Sequence, residues 1–293
     1  MAATPGITRR HAREALTIGP SGPRRCIKRS VMVMAAAVSF VASSGSALGL
    51  RPFVSTDAAV VGTGDVEIEF GYMGFRTDHA GATILAPEVV INLGVVRNVE
   101  AVVQSTLAND VTPRRGVPSP RVEDTEVSLK WVMRDGVLQD RPGPSIAVEF
   151  TLLPPLPRRL HLTLPNADRP GGQVIGLLSN TGFGFTYHLN LGPVVEPAGS
   201  KPGVMWGLIL EHVVGGGGLR AVAEFNGESV SRSPADASAL VGAICDVRAP
   251  WPLNELSFDI GIRHGLSSAA PNWGGTAGLT FAFPWDLAEE KRP

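Results

Sequence analysis

The stretch that decides the fold is residues 65–75, DVEIEFGYMGF. Its apolar residues, among them Val66 and Ile68, alternate with the acidic residues Glu67 and Glu69. A period of two residues is typical of a β-strand that has one face in apolar and the other in polar surroundings. We therefore predict a strand here, and the rest of the chain is read for the same period.

The same alternation recurs along most of the chain. It is clear at 99–107, 126–134, 145–153, 219–226, 256–263 and 276–283, and less clear at 84–95, 181–191, 204–213 and 237–246. Together these segments make eleven predicted strands. The predicted fold is all-β, a transmembrane antiparallel up-and-down β-barrel, and single-chain barrels of Gram-negative bacteria have an even number of strands. We therefore predict about twelve, within a range of ten to fourteen, and place the twelfth around residues 173–178.

A soluble secreted β-sandwich would show the same period, so alternation by itself leaves both folds open. Three features favour the barrel: strands of about ten residues, large apolar side chains on one face of nearly every strand, and a last strand that ends in the aromatic Phe283. Charged residues are almost confined to the opposite face, as expected where a Lys or Arg facing the middle of the lipid costs about 2–4 kcal/mol. We assign the barrel to residues 48–285 and a short polar tail to 286–293.

The N-terminal residues carry an export signal. Four basic residues lie between 24 and 29, an uncharged and mostly apolar run follows at 31–42, and small residues occupy 43–47. That order is typical of a cleavable secretory signal peptide, here residues 1–47 with cleavage expected after Ala47. The stretch ahead of Arg24 is unusually long for such a signal, so a translation start at Met32 or nearby and a lead segment at 1–23 both stay open. An N-terminal core helix is the other alternative.

Removal of the signal changes the charge balance. The whole chain has 26 basic and 27 acidic residues, and residues 1–47 contain seven of the basic and one of the acidic residues. The remainder therefore has 19 basic and 26 acidic residues, a net charge near −7, which argues against a nucleic-acid partner. Cys245 is the one cysteine after residue 47, so we expect no disulfide within the mature chain.

In a barrel, the polar face of each strand lines the lumen. The side chains expected there are Glu67, Glu69, Glu88, Glu100, Glu126, Glu149, Glu224 and Asp259, together with Lys130, Arg220 and Arg263. One interpretation is structural, with acids and bases that pair across the lumen. The other is functional: an acidic interior that favours cations, or a path for a polar solute. The sequence leaves both interpretations open.

Several short motifs follow one another in a recognisable order. They are residues 51–58 with 62–69, 92–95 with 98–100, 127–131, 190–192, and 265–266 with 270–273 and 278–283. This series resembles the transporter-like outer-membrane β-barrel family "MetA-pathway of phenol degradation". The Leu-Pro-Thr-Gly that the family has after its fifth strand is Leu-Pro-Pro-Leu at 153–156 here. The resemblance implies an outer-membrane barrel with a role in the uptake of small, aromatic or hydrophobic compounds.

An outer-membrane hydrolase is a competing class of function. It would need a serine, a histidine and an acid close together on one face. His264 and Ser267 are three residues apart, which puts them on opposite faces of a continued strand, and His161, His188 and His212 are isolated in the sequence without the spacing of metal ligands. We therefore predict no catalytic residues, no metal site, no cofactor and no enzymatic activity.

A structural or adhesive surface barrel is a third class. Its functional part would be the long loops at 109–124 and 154–172, where Arg114, Arg115, Arg158 and Arg159 would meet the anionic sugars of the outer leaflet or simply face water. The partners that we expect are outer-membrane lipid, a small-molecule solute and the barrel-assembly machinery, in the cell outer membrane.

Overall fold

The computed structural model of the protein describes residues 51–112, 119–155, 170–195, 202–216, 218–231 and 233–285. The predicted signal peptide, the predicted tail, His161 and the four arginines of the long loops lie outside the described residues. Within these ranges, no helix has both the length and the apolar character needed to cross a membrane.

In the described residues the chain forms twelve β-strands and one short 3-10 helix at Val137–Gln139. The strands are β1 (Asp65–Asp78), β2 (Gly81–Val96), β3 (Val99–Asp110), β4 (Arg121–Arg134), β5 (Ser145–Leu153), β6 (Gly171–Gly182), β7 (Phe185–Val195), β8 (Pro202–Val213), β9 (Leu219–Val230), β10 (Asp236–Asp246), β11 (Glu255–Gly265) and β12 (Trp273–Pro284).

Every strand pairs antiparallel with its neighbours in the chain, and β1 pairs with β12 to close the barrel. Closure leaves no strand edge with unpaired backbone groups, which is what a strand needs inside a lipid layer. The predicted all-β antiparallel barrel of about twelve strands is confirmed. The strand expected around residues 173–178 is β6.

The prediction of one strand over residues 181–191 is wrong in its bounds. The chain turns at Phe183 and Gly184, whose φ angles of 54° and 81° are both positive, as the tight turn of a two-residue hairpin requires. Phe183 stands in phase with Phe185. The alternation therefore runs across the turn and hides it.

The connections alternate between the two ends of the barrel. One end, called the terminal end, holds the start of β1, the end of β12 and the connections at 97–98, 135–144, 183–184, 214–218 and 247–254. The other, called the loop end, holds the connections at 79–80, 111–120, 154–170, 196–201, 231–235 and 266–272. The longest connection, 154–170, is at the loop end, as in outer-membrane barrels with long extracellular loops.

The two faces of the wall differ as the alternation predicted. Outward-facing apolar side chains stay exposed, for example Leu191 and Ile260, each 62% exposed. Inward-facing polar side chains are buried, for example Glu67 at 2% and Glu224 at 0%. A soluble protein has the opposite distribution. The barrel therefore has an apolar exterior and a polar, charged interior.

Candidate functional site

The described residues ahead of β1 lie inside the barrel. We call residues 51–63 the inner segment. Its backbone N–H groups donate hydrogen bonds to side chains on five strands of the wall. In the order of the strands around the barrel, the bonds run from Val61 to Glu100 of β3 (2.8 Å), Ala58 to Ser179 of β6 (3.0 Å), Thr56 to Asn190 of β7 (2.9 Å), Ser55 to Glu224 of β9 (2.7 Å) and Arg51 to Glu69 of β1 (3.1 Å). The inner segment therefore follows the wall around the lumen, from β3 past β9 and on to β1.

These contacts give the inner segment the partners that a strand ladder would otherwise supply. A buried backbone N–H without an acceptor is costly, so an irregular segment inside a barrel needs side-chain acceptors along its whole path. Asn190 is both acceptor and donor: its side-chain oxygen accepts the N–H of Thr56, and its side-chain amide donates to the carbonyl of Thr56 at 2.7 Å. The inner face is polar in part because it binds this segment.

Glycines in the wall make room for the inner segment. A Cβ atom added at Gly207 would overlap the side chain of Ser55, and one added at Gly94 would overlap the carbonyl of Gly62. At Gly261 it would lie 3.2 Å from the ring of Pro52. The wall is therefore shaped to the path of the segment.

An apolar cluster holds the middle of the inner segment. Its buried members are Ala58 of the segment and Val132, Ala147, Ile175 and Leu177 of β4, β5 and β6, with Val60 and Met205 packed against them. The segment is apolar over 58–61, where it meets this apolar patch of the inner wall. Burial of these side chains adds to the hydrogen bonds that hold the segment.

Ion pairs join several charged residues of the interior. Lys130 lies 2.9 Å from Glu100 and also donates to the carbonyl of Ala59 at 3.3 Å. Arg263 lies 2.5 Å from Glu224. Here the structural interpretation of the lumen charges fits, because these pairs link separate strands, β3 with β4 and β9 with β11, and their acids also bind the inner segment.

A second set of acids has no such partner. Asp124 and Glu126 of β4 and Glu149 of β5 line a cavity of about 610 Å³ in the lumen. Among the described residues, these three form no ion pair. Of the described residues that line the cavity, ten are acidic and four are basic. The cavity therefore has an excess of negative charge that the wall does not neutralise.

The structure gives three placements to the charged residues that the sequence analysis considered for the lumen. Arg220 pairs with Glu211 of β8 and Asp246 of β10, at 2.6 and 3.0 Å. The residues that line the cavity are Glu67, Glu69, Glu88, Glu100, Glu126, Lys130, Glu149 and Arg263. Glu224 and Asp259 lie beneath the inner segment, against Ser55 and Arg51 respectively. Sequence reasoning missed the inner segment itself, including Arg51 and Asp57, because its residues have no period.

His188, which is isolated in the sequence, has two side-chain partners in the structure. Its Nδ1 lies 2.8 Å from the Ser179 hydroxyl, and its Nε2 lies 3.4 Å from a carboxylate oxygen of Glu211. The register of the sheet puts Ser179 directly opposite His188, which spacing along the chain cannot reveal. All three side chains are buried, and the Ser179 hydroxyl accepts the N–H of Ala58. This group of residues therefore holds the inner segment, and the serine is covered.

The other histidine and serine considered in the sequence do not meet. His264 Nδ1 is hydrogen-bonded to the carbonyl of Asn272 at 2.7 Å. Ser267 accepts the N–H of Ala237 at 3.0 Å. In the part of the chain that the structure describes, no group of three or more His, Cys, Asp or Glu residues is arranged to hold a metal ion.

Aromatic side chains face outward towards both ends of the barrel. Trp273 is about half exposed near the loop end, Trp131 and Phe185 are about half exposed near the terminal end, and Tyr72 is about half exposed in the middle of β1. Outer-membrane barrels have an apolar band between two aromatic girdles at the membrane interfaces. The exterior therefore has the pattern of a surface that meets lipid.

Comparison with known proteins adds a likeness to solved structures. No family model matches the chain, and no curated protein matches it. Among solved structures, an outer membrane channel from Pseudomonas putida F1 is similar, with a TM-score of 0.50 and 10% sequence identity over 77% of this chain and 96% of that chain. At that identity the likeness shows a shared barrel fold.

Proposed function

We propose that this protein is an outer-membrane channel for small solutes and that its lumen favours cations. The observation that carries the proposal is the acidic cavity of about 610 Å³ inside a closed barrel with an apolar exterior. A charged passage with low-dielectric walls concentrates ions of the opposite sign. The similar fold of an outer membrane channel supports the same function.

The motifs that resemble the MetA-pathway family extend this proposal to the solute. They support uptake of small aromatic or hydrophobic compounds, and apolar side chains such as Phe53, Val90 and Leu240 line the cavity beside the acids. The proposed route to the outer membrane is export through the signal peptide followed by insertion by the barrel-assembly machinery.

Reversal potentials in planar bilayers under a salt gradient test the cation preference. We expect the wild-type channel to prefer cations, and the double variant Glu126→Gln/Glu149→Gln to lose much of that preference, because two unpaired charges leave the cavity. Asp140→Asn, in a connection at the terminal end, is the matched control and keeps the wild-type reversal potential. A wild-type channel that prefers anions would refute the cation path.

A barrel without a transport role is the second candidate, and the inner segment favours it because the segment occupies part of the lumen. The same bilayers separate the two functions. Wild-type protein that inserts, as judged by a heat-modifiable band in gels, but never conducts would support a structural or adhesive barrel and refute the channel.

A further inference from the structure

The side chain of Arg51 fills a buried pocket in the inner wall. Its Nη1 lies 2.6 Å from a carboxylate oxygen of Glu88 on β2, and its Nη2 donates to the hydroxyl of Thr276 on β12. Its Nε lies 3.6 Å from a carboxylate oxygen of Asp259 on β11. The residue is 5% exposed. Acceptors from three strands therefore surround one guanidinium group.

The wall is shaped to the flat guanidinium group at two glycines. A Cβ atom added at Gly71 would lie 2.6 Å from Nη1 of Arg51, and one added at Gly278 would lie still closer to its Nε. Any other residue at either position would put its side chain where the guanidinium lies. The two glycines leave a slot in an otherwise filled wall.

The pocket contains more acceptors than Arg51 uses. Asp259 is 6% exposed, and neither of its carboxylate oxygens has a hydrogen-bond partner among the described residues. Glu69 adds a third carboxylate, which accepts the backbone N–H of Arg51. A buried carboxylate without hydrogen bonds, such as that of Asp259, is costly, so this pocket gains from a cation with many N–H donors.

We propose that the pocket is a binding site for a guanidinium group, which Arg51 occupies here and which a guanidinium-bearing solute occupies once Arg51 has left. A guanidinium group has five N–H donors in a rigid plane, whereas an ammonium group is a compact point charge, so the slot and its acceptors select the former. The inference rests on the proposed function, since the lumen is the route by which such a solute reaches the pocket.

Occupancy of the pocket is coupled to the inner segment. The N–H of Arg51 donates to Glu69 while its side chain binds Glu88, so loss of Arg51 from the pocket frees this end of the segment. A tethered group has an effective concentration of about 1 mM or more, and a free solute has to exceed that value to displace it. In the wild-type protein Arg51 therefore keeps the site closed to dilute solutes.

Chemical rescue of Arg51→Ala tests the site. The measurement is the temperature at which the folded band converts to the unfolded band in heat-modifiability gels. We expect Arg51→Ala to convert at a lower temperature than wild type, and guanidinium chloride at about 10 mM, well above the effective concentration of a tethered group, to restore at least half of the difference. Sodium or tetramethylammonium chloride at the same concentration restores none of it.

Two double variants show whether the slot is responsible. Arg51→Ala/Gly278→Val fills the slot and is expected to lose the rescue. Arg51→Ala/Gly176→Val is the matched control and keeps it, because a Cβ at Gly176 makes only an ordinary contact of 3.6 Å on the outer side of the wall. If Arg51→Ala does not fold, Arg51→Gln takes its place with the same expected results.

Three results would overturn the site: no rescue by guanidinium, equal rescue by the other cations, or rescue that persists when the slot is filled. The readout is stability, so it can be measured even in a barrel that does not conduct. Failure of the guanidinium site is therefore distinguishable from failure of the channel function.

Discussion

Removal of Glu224 should destabilise the barrel through the inner segment. The fully buried carboxylate accepts the N–H groups of Val54 and Ser55, at 3.0 and 2.7 Å, and pairs with Arg263 at 2.5 Å. In Glu224→Ala, each N–H left without an acceptor costs about 1–3 kcal/mol, and loss of one partner of a buried ion pair costs about 3–5 kcal/mol. These losses overlap, because Arg263 keeps its bonds to Asn226 and water can reach part of the lumen. We expect the free energy of unfolding to fall by about 3–5 kcal/mol.

Urea unfolding in lipid vesicles, followed by tryptophan fluorescence, measures this change. Glu149→Ala is the matched control, because Glu149 lines the same lumen on β5 without an ion pair among the described residues. We expect that control to change the free energy of unfolding by no more than about 0.5 kcal/mol. If both variants lose the same stability, the inner segment does not contribute to the stability of the barrel and the reasoning fails.

Two further predictions concern the outer face and the path of the inner segment. Ile260→Lys, on the exposed apolar face of β11, should lower the free energy of unfolding in vesicles by about 2–4 kcal/mol. Phe183→Lys, at a turn beyond the strands, should have little effect. Equal effects of the two variants would contradict the prediction that this face of β11 meets lipid. Gly207→Leu should displace the inner segment, because its side chain would occupy the position of Ser55, and should raise single-channel conductance, whereas Gly176→Leu on the outer side should not. Unchanged conductance in Gly207→Leu would show that the segment does not limit the channel.

The alternation was enough to predict the wall of the barrel. The predicted bounds of β5, residues 145–153, agree with the structure, and the alternation assigned Glu149 to the inner and Phe150 to the outer face. This succeeds because a period of two is a local property: each residue's face follows from its neighbours alone. The ends of strands are harder to predict, as Phe183 shows, because the apolar alternation can continue unbroken through a short turn.

The contacts between the inner segment and the wall could not be predicted from the alternation. Thr56 bonds to Asn190, and Arg51 bonds to Thr276. These contacts exist because twelve paired strands bring distant residues to one enclosed space, and no local pattern records which of them meet.

What the sequence by itself determined is therefore the all-β class, the strand number to within a few, and the polar and apolar faces of the wall. Only the tertiary structure decided that residues 51–63 lie inside the lumen and which acids they leave unpaired. The physical reason is that the inner segment has no regular period of its own. Its conformation is set by acceptors and glycines on strands far away in the chain, which come together only when the barrel closes.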